Sequence, residues 1–163
     1  MINWDHLVRE HGPAVARTAW RILGHAADTE DVVQDVFLEA HRALRTQQVR
    51  SWPALLRRIA TCQALYRLRQ RKRGVPLDGL ELAGAHASPE ESAQEHELAD
   101  RLREAVAQLP PRESEVFCLC FFDELPHERI AETLDISTGA VKTALCKART
   151  RLEELLVVAG KGA

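Results

Sequence analysis

Apolar residues recur at steps of three and four along most of the chain. No stretch alternates with period two for long enough to make a strand, so the pattern predicts an all-helical fold. Near the C-terminus Val141, Leu145, Ala148, Leu152 and Leu155 form one such stripe, which marks a helix with one buried face. A shorter helix precedes it, with Ile130, Ala131 and Leu134 as its apolar face; Ala131 is small enough to let a second helix cross close by. Asp135 falls at the turn between them, where a left-handed residue is needed and Asp is tolerated. Ser137 is then placed to cap the next helix. Two helices joined by so short a turn predict a helix-turn-helix.

The same periodicity continues towards the N-terminus. Leu98, Leu102, Ala105, Val106 and Leu109 stripe a helix that Pro110-Pro111 ends, and Val116, Phe117 and Leu119 belong to another that stops before Leu125-Pro126. In the first part of the chain, Trp4, Leu7 and Val8 predict a short helix that Gly12-Pro13 breaks or kinks. Val15, Ala19, Trp20, Ile22 and Leu23 follow on a second, closed by Gly24. Asp28 is expected to cap a third helix, whose Val32, Val33, Val36, Phe37, Ala40 and Leu44 face inward and whose Asp31, Gln34, Asp35 and Glu39 face out. A basic helix then spans 52–73. Gly74, Pro76, Gly79 and the small and acidic residues after them read as a linker. It ends at Ser88-Pro89-Glu90-Glu91, a cap, a first-turn proline and a capping-box glutamate. The expected organisation is two small helical domains, 1–75 and 98–163, joined by a flexible acidic linker over 76–97.

Charge sharpens this division. The net charge is only −2, yet residues 1–77 carry thirteen Lys or Arg against seven Asp or Glu, whereas 78–104 carry two against eight. No acid occurs between residues 40 and 76, where Arg42, Arg45, Arg50, Arg57, Arg58, Arg67, Arg69, Arg71, Lys72 and Arg73 all fall. Such a block is the footprint of phosphate contacts, although a solvated surface or an RNA-binding patch has the same composition. The exposed face of the last helix adds Lys142, Thr143, Cys146, Lys147 and Arg149. The second helix of a helix-turn-helix presents residues near its N-terminus to base edges in the major groove; an ordinary solvated cationic face looks alike.

Other chemistry is excluded more readily. The four cysteines, at 62, 118, 120 and 146, show neither disulfide nor zinc-finger spacing. No phosphate-binding glycine loop, activated nucleophile or metal cluster is present at useful spacing, so no enzyme, cofactor or metal is expected. The N-terminus lacks a basic stretch followed by an apolar run, and a cytoplasmic protein is expected.

Four segments in register carry a resemblance. Residues 29–40 (TEDVVQDVFLEA), 55–60 (LLRRIA), 109–117 (LPPRESEVF) and the helix-turn-helix are similar to the bacterial extracytoplasmic-function sigma factors, over nearly the whole chain. The resemblance implies an alternative sigma factor: region 2 binds core RNA polymerase and the minus-10 promoter element, and region 4 binds the minus-35 element. It implies that Asp31, Gln34, Asp35 and Leu38 dock on the clamp helices of the beta-prime subunit, while region 4 meets the flap of the beta subunit. Trp52, Arg57, Arg58, Cys62, Tyr66, Arg67 and Arg69 would face minus-10 DNA. Thr138, Lys142, Thr143, Cys146, Lys147 and Arg149 would face minus-35 DNA. An anti-sigma partner is commonly expected in the family.

The chain departs from the family pattern at five places, one of them the loop before the basic helix, where the family often has an aromatic residue and this chain has the short polar Arg45-Thr46-Gln47-Gln48. The family often has Asn where Cys62 stands, Asp where Tyr66 stands, Arg where Ala144 stands, and a polar or aromatic residue in place of Cys146. Cysteine lacks an amide's paired donor and acceptor, so altered minus-10 readout is expected. Two other classes of function fit parts of the pattern. A stand-alone helix-turn-helix regulator needs only the C-terminal half, and a sigma-like protein that titrates polymerase or an anti-sigma factor needs no DNA opening.

Overall fold

The structure is a computed structural model that describes residues 1–72 and 89–161, all of the regular elements within them being helices. The expected cap at Ser88 and the linker glycines lie outside the described residues. Among the described residues seven helices follow in order: α1 (Trp4–Leu23), α2 (Ala26–Ala43), α3 (Trp52–Lys72), α4 (Pro89–Ala107), α5 (Pro111–Phe121), α6 (His127–Leu134) and α7 (Thr138–Lys161). Helix α4 starts inside the 76–97 stretch expected to be a linker.

Helices α1 to α3 pack on one another as a three-helix unit. The predicted break at Gly12-Pro13 does not occur. Asn3 caps α1 by accepting from the His6 amide at 3.1 Å, and the helix runs unbroken through Pro13 to Gly24. An interior proline costs a hydrogen bond and a clash with the preceding turn. Leu7 and Val15, buried on either side of it, hold both halves against the core. Gly24 ends α1 at φ 59°, its amide donating to the Trp20 carbonyl at 2.7 Å. Trp20 itself is exposed, as are Val8 and Leu98, the last of which the apolar stripe of its helix placed inside.

The cap of α2 also differs from expectation. His25, not Asp28, is the cap residue, its Nδ1 accepting from the Asp28 amide at 3.3 Å. Asp28 instead is buried and meets Arg71, whose Nη2 lies 2.6 Å from Oδ2. The same guanidinium donates through Nη1 to the Leu23 carbonyl at 2.8 Å. One arginine from the end of α3 thereby satisfies a helix end of α1 and a first-turn acid of α2, the position where a helix N-terminus favours negative charge.

The C-terminal helices place the turn where the sequence puts it. Asp135 is left-handed, φ 54° and ψ 51°, and the Ile136 amide bonds back to the Ala131 carbonyl at 3.0 Å. Ser137 Oγ accepts from the Ala140 amide at 3.0 Å and starts α7. Val141, Leu145, Ala148 and Leu152 are buried, and Leu155 is half-buried. A single apolar cluster joins both halves, from Ile22 and Leu65 to Leu119 and Ile130. Side chains as fully buried as these contribute about 1.5–3 kcal/mol each. Helix α3 is the shared wall, packing on α1 and α2 on one side and on α4, α5 and α6 on the other.

Candidate polymerase and nucleic-acid interface

The acidic face of α2 is intact. Asp31, Gln34 and Leu38 are exposed and Asp35 half-exposed, at the three- and four-residue steps that share one helix face. Two acids of this face are tied to α3: Arg67 Nη1 lies 3.4 Å from Asp31 Oδ2, and Nη2 lies 3.3 Å from Asp35 Oδ2. One turn away, Gln63 donates to Glu39 at 2.6 Å.

Helix α3 presents its candidate DNA residues unequally. Arg58 and Tyr66 face solvent, the Tyr66 hydroxyl accepting from Gln70 at 2.6 Å. Trp52 packs edge-on against Trp4, ring centroids 5.8 Å apart. Arg67 is held by the α2 carboxylates. The remaining three, Arg57, Cys62 and Arg69, lie in the seam with the C-terminal helices. Arg69 Nη2 donates to Ser114 Oγ at 2.7 Å, Cys62 Sγ is 3.5 Å from Glu115 Oε1, and Arg57 Nε is 3.8 Å from Asp123 Oδ2. Burial, then the Glu115 carboxylate, push the Cys62 thiol up to about 11. Burial likewise raises Cys118. Both sulfurs are therefore protonated, weakly reactive thiols at neutral pH.

Asp123 was not singled out by any sequence signal. Its carboxylate accepts from Thr18 Oγ1 at 3.1 Å and lies 3.4 Å from Arg21 Nη1, while Arg21 also donates to the Phe122 carbonyl at 2.6 Å. Burial raises its pKa above the ordinary carboxylate value, against the lowering effect of Thr18, Arg57 and Arg21. At the other end of the seam, Arg103 of α4 stacks on the bare Cα of Gly24 and donates to the Arg21 carbonyl at 3.3 Å. A Cβ at Gly24 would come within 2.4 Å of that guanidinium.

On α7, Thr138, Lys142, Thr143, Cys146, Lys147 and Arg149 are all exposed. His127, at the start of α6, joins Lys142, Cys146, Arg149 and Thr150 around a shallow open depression. The Arg149 guanidinium sits 5.2 Å from the Phe121 ring centroid, a cation–π distance that fixes its direction. Ala144 is buried, so a small residue there serves packing against the neighbouring helices. Its side chain is not part of the exposed face of α7. Among the described residues no group of three metal-ligating side chains occurs, and no helix is long and apolar enough to cross a membrane.

Comparison with known proteins agrees with this two-part layout. Residues 7–74 match the family Sigma-70 region 2, and residues 99–152 match Sigma-70, region 4. The chain is 33% identical over 165 residues to the RNA polymerase sigma factor CnrH of Cupriavidus metallidurans, covering 94% of this chain and 86% of that protein. This chain belongs to the extracytoplasmic-function sigma factors. The ECF RNA polymerase sigma factor SigE of Mycolicibacterium smegmatis is 31% identical over 160 residues, and the chain spans 62% of that longer protein. A solved structure of CnrH in complex with the cytosolic domain of CnrY superposes with a TM-score of 0.59 at 26% identity, covering 95% of this sigma factor and 88% of that chain. The region 2 match spans most of α1 and all of α2 and α3, and the region 4 match runs from within α4 into α7.

Proposed function

We propose that this sigma factor docks on core polymerase through the exposed face of α2 and reads promoters through two helices, α3 at the minus-10 element and α7 at the minus-35 element. The observation that carries the reading is the pairing, in one chain, of an exposed acidic α2 face at Asp31, Gln34, Asp35 and Leu38 with a capped recognition helix that presents Lys142, Thr143, Cys146 and Lys147. A stand-alone regulator leaves the first of these without a role.

The recognition chemistry follows from the side chains. Lys142 and Lys147 supply charge to guanine edges or to phosphate, but without arginine's two-pronged fork. Arg149, directed by Phe121, suits backbone contact, which positions the helix without specifying sequence. In region 2, Arg58, Cys62 and Tyr66 are the candidate residues of α3 that are exposed and so are the first to meet an opening duplex. Tyr66 offers a ring on which an unstacked base can rest. The role is binding and positioning, with the chemistry of RNA synthesis left to the polymerase. By analogy with CnrH and CnrY, an anti-sigma protein is the further partner.

The test is to mix the purified chain with bacterial core polymerase and a library of promoter fragments, then measure co-elution and initiated transcripts. Co-elution with transcripts that share a two-part motif is expected. Binding to core without transcripts would favour a titrating protein, and binding to DNA without core a stand-alone regulator.

A further inference from the structure

We propose that Tyr66 and Gln70 act together as one reading unit for the minus-10 element, in which the Tyr66 hydroxyl and the Gln70 carbonyl oxygen recognise the N7 and N6 edge of an adenine. The inference rests on the promoter-binding reading above and names the residues of α3 that choose a base.

Three observations carry it. Arg58, Cys62, Tyr66 and Gln70 recur at four-residue steps along α3, and side chains so spaced form one ridge of a helix. The first three are exposed, Tyr66 at 57%, and Gln70 is half-buried beside them. The polar ends of the last two are joined, Gln70 Nε2 donating to the Tyr66 hydroxyl oxygen at 2.6 Å. Finally, a cysteine thiol is a weak donor and a weak acceptor. Beyond Arg58, the hydrogen-bonding capacity of the ridge therefore lies in the Tyr66–Gln70 pair.

Donors and acceptors set what the pair can read. A tyrosine hydroxyl has one proton to donate and lone pairs that accept, and a glutamine amide has a donor end and an acceptor end. Because the Tyr66 oxygen accepts from Gln70, its own proton is directed elsewhere, and among the described residues it meets no acceptor. Gln70 Oε1 has no donor partner among them either. The pair thus offers one donor beside one acceptor. A lone glutamine reads adenine with both ends of its amide, at N7 and N6. Here the donor end is occupied by Tyr66 and the hydroxyl proton takes its place, donating to N7 while Oε1 accepts from the N6 amino group. Guanine sets a second acceptor, O6, against Oε1, and the pyrimidines have no N7. The ring face of Tyr66 is a separate surface, so a base stacked on it leaves the hydroxyl free for the neighbouring base. Joining the two side chains before DNA arrives also lowers the ordering cost of the contact.

The test combines the full chain with bacterial core polymerase and sequences the transcripts from promoters randomised through the minus-10 element. One position should favour adenine over guanine by about fivefold or more, the discrimination of a two-bond base contact. Tyr66→Phe keeps the ring and removes the hydroxyl, and Gln70→Leu keeps the bulk and removes the amide. Each should erase most of that preference at that one position and leave the minus-35 preference unchanged. A base analogue probes the wild-type chain directly. At the same position 7-deazaadenine, which lacks N7, should lower initiation by the factor that Tyr66→Phe costs, and should lower it no further in Tyr66→Phe. The pair is overturned if wild type favours adenine nowhere, if the preference survives either substitution, if the two variants alter different positions, or if wild type initiates fully on the 7-deazaadenine promoter. No transcripts from wild type with core would overturn the sigma reading and the pair with it, whereas normal transcription with an unchanged preference in both variants overturns the pair alone.

Discussion

Arg67 of α3 reaches Asp35 of α2 at 3.3 Å and, through its other terminal nitrogen, Asp31 at 3.4 Å. One guanidinium therefore spans the two surfaces assigned to different partners. Its side chain is only 22% exposed, while the two acids remain open to solvent at 44% and 59%. The geometry makes Arg67 a strut under the acids proposed to face polymerase, and a phosphate contact would have to break it.

Replacing Arg67 by Ala should weaken core binding severalfold with a stability loss of about 1 kcal/mol, the scale of partly exposed ion pairs. Binding of the free factor to a minus-35 duplex should not change. Titration of labelled core with the variant measures the first effect and a urea melt the second; unchanged core affinity would return Arg67 to the DNA side.

Lys147→Glu should abolish binding to a minus-35 duplex while leaving co-elution with core intact. The milder Lys147→Gln should lower the slope of log affinity against log salt by about 1, the loss of one phosphate contact. Unaltered promoter affinity in Lys147→Glu would refute the assignment of α7.

Ala144→Arg tests the buried side of the same helix. Forcing a long cation into a packed site overfills it and buries charge without a partner, so a loss of at least about 1–3 kcal/mol is expected. A lowered urea midpoint with no new base preference would show that the family's frequent Arg at this place has no room here.

The pH dependence of stability carries a signature of Asp123. Because its native pKa is raised above the ordinary 3.8, the folded chain favours the protonated acid. That contribution is complete below 3.8 and is lost as pH rises through the raised native value. The difference in melting temperature between wild type and Asp123→Asn should therefore vary with pH across that window and level off above it. A constant difference would mean that the carboxylate titrates as it does in water.

Cys62 supplies a chemical readout. With its thiol pushed up to about 11, roughly one molecule in a thousand carries the thiolate at pH 8. Alkylation should be slow although the side chain is exposed, and Glu115→Ala should accelerate it. Equal rates in both proteins would place the sulfur outside the seam.

The helix-turn-helix was legible because its signals are local: Ala131, Asp135 and Ser137 act within a few residues of one another. The helical class and the α3 and α7 spans were legible for the same reason. Features that depend on distant partners were not. Pro13 stays helical because Leu7 and Val15 are packed by other helices, and His25 takes the cap because Asp28 is drawn to Arg71, 43 residues away. The basic block was correctly located along the chain but not in space. Arg57, Arg67, Arg69 and Arg71 meet acids, a hydroxyl or a carbonyl within the fold, and no periodicity records such pairings.

The order of synthesis gives the seam one more consequence. Thr18, Arg21 and Arg57 leave the ribosome before Asp123, which follows Arg57 by 66 residues. At bacterial and eukaryotic elongation rates that gap lasts about 3–13 s, long compared with the folding of a three-helix unit. Every newly made molecule thus passes through an interval in which region 2 is folded and its α3 surface has no cover. Until Asp123 emerges, Arg21 and Arg57 lack the carboxylate they meet in the finished fold.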